Sequence, residues 1–184
     1  MSHRLQETGA SIACRTGAMM PNWCENEVTV CGPKDVMTSF LEACGYAKRE
    51  FSFQKLRPMP SAFELMFSKD NERWFRTTGQ KYDYVNCEEV SLAELQELKL
   101  AYGCNNPRAW MSRNWGVCYE ATDVDYMSDD EWSETRSVTM YFDTAWGPPD
   151  MLYEFLVVRY PSLNIDWFYK EPISRFAGWL GEPQ

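Results

Sequence analysis

Histidine occurs once in this chain, at His3, in a polar N-terminal stretch. Catalysis by a Ser-His-Asp or Cys-His arrangement needs an imidazole held at fixed geometry, and a mobile tail does not hold one. Histidine-ligated metals are disfavoured for the same reason. The cysteines stand at positions 14, 24, 31, 44, 87, 104 and 118. Their number is odd, and no two form the C-x-x-C pair that marks most zinc sites. They read as reduced thiols of a cytosolic protein. No catalytic residue, metal or cofactor is expected from these patterns.

The chemistry that remains belongs to carboxylates and aromatic rings. Acidic residues number 27 against 18 basic ones, for a formal charge of −9 and a pI near 4.7. Generic binding of nucleic acid or of an anionic membrane surface needs the opposite balance. No apolar run approaches the roughly 18 residues of a bilayer span. The densest acidic run carries Asp123, Asp125, Asp129, Asp130, Glu131 and Glu134, with Tyr126 and Trp132 among them and no base. Its plain reading is a solvated hairpin loop. Its functional reading is a surface for a basic partner, where carboxylates steer the encounter and the two rings anchor the complex.

The elements that must position these residues follow from hydrophobic spacing. With 45% hydrophobic and 15% aromatic residues the chain has material for a core, which excludes a wholly disordered or coiled-coil protein. Glu25–Cys31 alternates as a half-buried strand, with Val28 and Val30 on one face. Gly32-Pro33 ends it. Val36, Met37, Phe40, Leu41 and Cys44 then recur at helical spacing up to Gly45. Residues 49–114 read as an insertion holding one clear helix, with a Ser91/Glu94 capping box and a stop at Gly103. Gly116–Val124 alternates as a second strand and Arg136–Thr144 as a third. A helix opens at Pro148-Pro149-Asp150 and stops near Tyr160-Pro161, and Asn164–Tyr169 is the last strand.

Without the insertion this pattern is βαββαβ, which predicts a ferredoxin-like α+β sandwich spanning residues 20–184, with both helices on one face of an antiparallel sheet. Met1–Met19 reads as a disordered extension without the apolar core of a signal peptide, and Met20 is an alternative start.

Several short motifs carry a resemblance. They are Met20-Pro21-Asn22-Trp23-Cys24-Glu25-Asn26, Pro58-Met59-Pro60, Asn114-Trp115-Gly116, Phe142-Asp143-Thr144-Ala145-Trp146-Gly147-Pro148-Pro149, and Tyr169-Lys170-Glu171 followed by Phe176-Ala177-Gly178. Together, and in this order, they resemble the YubB-like proteins of plasmids and phages, which contain a ferredoxin-like domain. Val117-Cys118-Tyr119 departs from the Thr-Lys-Trp usual there, and Pro172-Ile173-Ser174 from a glycine usual after the glutamate. The resemblance implies a fold and a mobile-element setting. Proteins of such elements often block host nucleic-acid enzymes, so a host or phage protein with a basic surface is the partner it implies.

The sequence places the motifs in two clusters. If the first strand runs parallel to the third and antiparallel to the fourth, Asn22 and Trp23 meet Glu171 at one end of the sheet. Asn114, Trp115 and Gly116 meet Thr144 and Trp146 at the other. These residues are expected to close the ends of the core, with a ligand pocket or a carboxylate-dependent enzyme as the alternative. Nucleic-acid binding is a further alternative. The helix-free face should show Glu27, Thr29, Thr139, Tyr141 and Asp143, and one ring among carboxylates stacks bases poorly.

Overall fold

The computed structural model describes residues 21–63, 92–128 and 135–181. Strand β1 (Trp23–Pro33) buries Cys24, Asn26, Val28 and Val30 and turns Trp23, Glu25 and Glu27 outward, as its alternation requires. Helix α1 (Lys34–Cys44) buries Met37, Phe40, Leu41 and Cys44 and ends where Gly45 takes φ 94° and bonds back to the carbonyls of Leu41 and Glu42. A short helix α2 (Phe53–Leu56), α3 (Leu92–Tyr102) and α4 (Pro107–Asn114) follow. Then come β2 (Thr122–Ser128), β3 (Thr135–Ala145), α5 (Asp150–Arg159), β4 (Asn164–Glu171) and β5 (Phe176–Leu180).

The strands form one sheet in the order β2-β3-β1-β4-β5, and every neighbouring pair is antiparallel. Buried residues of α1 and α5 share a single core with Val28, Val30, Met140, Phe142 and Trp167, so the helices cover one face of the sheet. Phe51, Phe53, Met59, Phe63, Trp110 and Met111 belong to the same core. The described parts of the segment read as an insertion are therefore packed into the core rather than appended to it. Arg57 holds that segment down. Its Nη1 donates to the carbonyls of Asn114 (2.7 Å) and Met151 (3.3 Å), and its guanidinium lies 4.9 Å from the Phe155 ring centre. Among the described residues no helix is long and apolar enough to cross a membrane.

Four expectations change. The first strand is antiparallel to the third, not parallel, because β2 runs with β1 and the chain then reverses into β3. The second strand lies at Thr122–Ser128 instead of Gly116–Val124. Alternation in the earlier stretch has another cause. Val117 is buried, while the Glu120 carboxylate accepts the amides of Phe53 (2.8 Å) and Gln54 (2.7 Å) at the start of α2. Gly116 sits at φ 88°, and a Cβ there would overlap Asp150, whose backbone nitrogen would be 2.8 Å away. That backbone makes a tight turn against α5 and not a strand. Helix α4 was not expected; Asn106 caps it by accepting the amide of Ala109 at 2.8 Å, and Pro107 stands in its first turn. The last addition is β5, which extends the sheet beyond the expected four strands. Ser91 of the capping box lies outside the described residues, although the helix it was to begin is present at Leu92.

Candidate functional site

The antiparallel register gathers the motifs at one end of the sheet and not at two. Trp23 pairs with Ala145, and Glu25 with both Asp143 and Lys170. The Trp146 amide donates to the Asn22 carbonyl at 2.8 Å, and the Asn22 side chain donates to Ser174 Oγ at 3.3 Å. Asn114-Trp115-Gly116 reaches the same end through α5, since the Leu152 amide donates to the Trp115 carbonyl at 3.3 Å. Trp115 is buried, and its indole donates to the Arg57 carbonyl at 3.0 Å.

At the centre of this end lies Asn26. Its Nδ2 donates to the Cys24 carbonyl (2.8 Å), Thr144 Oγ1 (2.9 Å) and, more weakly, the Phe142 carbonyl (3.3 Å). Its Oδ1 accepts from Nε1 of Trp167 at 3.1 Å. Thr144 in turn donates to the Gly147 carbonyl at 2.7 Å. Glu171 is buried and accepts the amides of Ile173 and Ser174, each at 2.7 Å. Burial pushes its pKa up. The hydroxyl and amide of Ser174, the Ile173 amide and the Asn22 side chain outweigh this and hold it below the ordinary carboxylate value. Cys24 beside them is driven up to about 12, first by burial, so it is a thiol and not a nucleophile. Every polar group in this network is matched to a partner inside the protein. Such a network closes a core and ties together β1, β3 and β4, and it offers no reactive atom to a ligand.

The acidic run divides. Asp123 and Asp125 lie in β2 rather than in a loop, and Asp125 is paired with Arg49. Tyr126 points to the helix side, where its hydroxyl donates to the Glu50 carbonyl and its ring meets Tyr46 edge-on at 4.8 Å. It is thus part of the packing rather than an exposed anchor. Asp129, Asp130, Glu131, Trp132 and Glu134 lie outside the described residues.

Among the described residues no helix covers the opposite face of the sheet. Strand register sets side chains across it in rows. One row reads Asp125, Tyr141, Glu27, Phe168, Trp179 from β2 to β5. A second contains Asp143, Glu25, Lys170 and Ala177, and a third Met127, Thr139, Thr29 and Asp166. Glu27, Thr29, Thr139, Tyr141 and Asp143 are where the alternation put them. The expectation of a single ring among carboxylates is corrected: Phe168 and Trp179 share the face with ring centres 5.2 Å apart, and exposed Trp23 lies two rows away. Two signals in the sequence point to them. Phe168 has the opposite parity to Trp167 in its strand, and Phe176–Leu180 is a short apolar run after a turn.

Charge on this face is mostly negative. Glu25 is paired with Lys170 at 2.9 Å. Glu27 has no ion pair among the described residues. Burial raises the pKa of Asp143, and the nearby charges of Asp123 and Glu25 add to it. Lys170 is raised by its bond to Glu25 and by the charges of Glu25 and Glu27. Nearby carboxylate charge adds to both shifts, after burial at Asp143 and after the Glu25 bond at Lys170.

Comparison with known proteins adds little to this geometry. No family model matches the chain, and no curated protein matches it. Among solved structures it is similar to protein api92 from Yersinia pseudotuberculosis, of the family DUF1281, at 11% identity and a TM-score of 0.46. That alignment covers 87% of this chain and 93% of the other. Mixed α and β elements around a five-stranded antiparallel sheet define the class of this protein.

Proposed function

We propose that this chain is a binding module that takes a basic protein partner on the helix-free face of its sheet, and that it is not an enzyme. The observation that carries the reading is the row Asp125, Tyr141, Glu27, Phe168, Trp179, in which carboxylates stand beside half-buried rings and the exposed Trp179 on adjacent strands. Rings supply contact area at an interface, and carboxylates supply attraction and steering toward a cationic surface. The formal charge of −9 extends that attraction over the molecule. We read the frame as a single ferredoxin-like βαββαβ domain lengthened by β5. Strand order and the placement of α1 and α5 on one face support it. The YubB-like motifs support a phage or plasmid setting in the bacterial cytoplasm, with a host nucleic-acid enzyme as the kind of partner blocked.

Titration with octa-lysine and octa-arginine at low salt tests the binding face. Binding is expected to weaken as salt rises and to perturb backbone amides of β1 and β4 before those of α1 and α5. Perturbation centred on the helices, or no binding of either peptide, refutes the proposal. An oligonucleotide of the same length is expected not to bind.

A further inference from the structure

We propose that the Glu27–Phe168–Trp179 corner of this face is an arginine-selective subsite. The inference rests on the binding-face reading and names the side chain that face is built to take. Of the neighbouring carboxylates, Glu25 is engaged by Lys170 and Asp125 by Arg49, whereas Glu27 has no ion pair among the described residues and meets Lys170 only through its charge. Register puts Glu27 directly beside Phe168, and Phe168 directly beside Trp179. Strands lie about 4.8 Å apart, so a carboxylate and an exposed indole stand about 10 Å apart with a phenyl ring between them. Trp179 is 50% exposed, and the two rings are tilted by 56°, which leaves a face of the indole open to solvent.

A cation arriving here meets a π surface and a carboxylate on the same row. Lysine offers a compact, strongly hydrated ammonium that satisfies the carboxylate but gains little from the rings. A guanidinium is planar and weakly hydrated. It stacks on the indole while its edge N–H groups reach the Glu27 oxygens. Charge complementarity thus commits the site to an arginine side chain of a partner protein.

Calorimetry with octa-arginine and octa-lysine at matched low salt tests this. Octa-arginine is expected to bind about 2- to 5-fold more tightly, the range of an exposed cation–π contact. Trp179→Leu keeps apolar bulk on the strand and is expected to bring the ratio to about one while leaving octa-lysine affinity unchanged. Glu27→Gln is expected to weaken octa-arginine at least about 3-fold. Glu154→Gln, the same charge change on the exposed side of α5, should have a smaller effect. Equal affinities for the two peptides in the wild type, or a Glu27→Gln loss no larger than that of Glu154→Gln, overturn the subsite and leave the binding face standing. If neither peptide binds, the binding-face reading fails and the subsite with it. Thermal melts of each variant check that the fold is intact.

Discussion

Replacing Asn26 by Asp changes one atom and reverses the logic of the buried network. In the wild type Nδ2 donates to the carbonyls of Cys24 and Phe142 and to Thr144 Oγ1, while Oδ1 accepts the Trp167 indole. Those partners fix which end of the amide is nitrogen, since only a donor suits two carbonyls. A carboxylate would point an anion at the same carbonyls in a site where Asn26 is 3% and Trp167 0% exposed. An uncompensated buried charge costs about 3–5 kcal/mol. A chain of this size loses about 2–4 °C per kcal/mol, so at pH 7 the melting temperature should fall by about 10 °C. Protonation restores one O–H donor, so the introduced acid has a folded pKa above its unfolded value of about 3.9. The sign follows. The penalty is small below that unfolded value and grows as pH rises toward the folded one. Circular-dichroism melts of wild type and Asn26→Asp from pH 4 to pH 8 read the difference directly. A gap that is absent at pH 7, or that does not narrow on acidification, refutes the account of the network.

Glu171 should act in the opposite sense. Its folded pKa is lowered, so it stabilises the protein above the unfolded carboxylate range and that contribution is lost as pH falls through the folded value; Glu171→Gln should flatten the acid side of a stability–pH curve, measured by urea unfolding at several pH values. Gly116→Ala combines a left-handed φ of 88° with a collision against the Asp150 backbone, and a loss of about 2–4 kcal/mol is expected in the same assay. Arg49→Ala removes only an exposed, solvent-screened pair with Asp125, and the urea midpoint should barely move. The five described cysteines are free, and thiol titration of the denatured, unreduced protein should approach the full complement of 7 per chain. In the native protein Cys24, Cys44 and Cys104 should react slowly, because each is buried.

Much of the frame was legible because single periodicities decide it. Val28 and Val30 set β1, and Phe40 with Leu41 before Gly45 sets α1 and its end. Gly116–Val124 misleads because residue types can alternate without a strand: Val117 fills the core while Glu120 turns to cap α2. Strand direction was misread for a different reason. Direction is a property of connections, and no residue in β1 or β3 encodes it locally. That one error split a single cluster of motifs into two. The candidate face was legible in its centre, at Glu27 and Tyr141, but not at its edge. Phe168 was passed over beside the buried Trp167, and β5 is too short for its spacing to stand out against the turn before it. Asn26 does not stand out in the sequence, because a polar residue on a buried face is explained only by partners distant in the chain.

Those distant partners bear on how the chain is made. The central strand is made before the other described strands, yet Asn26 bonds Thr144 118 positions later and Trp167 141 positions later. At about 5–20 residues per second, β1 waits roughly 7–30 s for its second neighbour. Until β3 is made Val28 and Val30 lack both flanking strands, and until β4 is made they lack one. Local structure such as α1 can form early, but the sheet closes around β1 only once β4 has been made, which is the pattern of a slow, non-local folding step. A nascent chain stalled before Asn164 would hold β1 against β3 alone, with one edge open to β-strand-binding chaperones or to another chain.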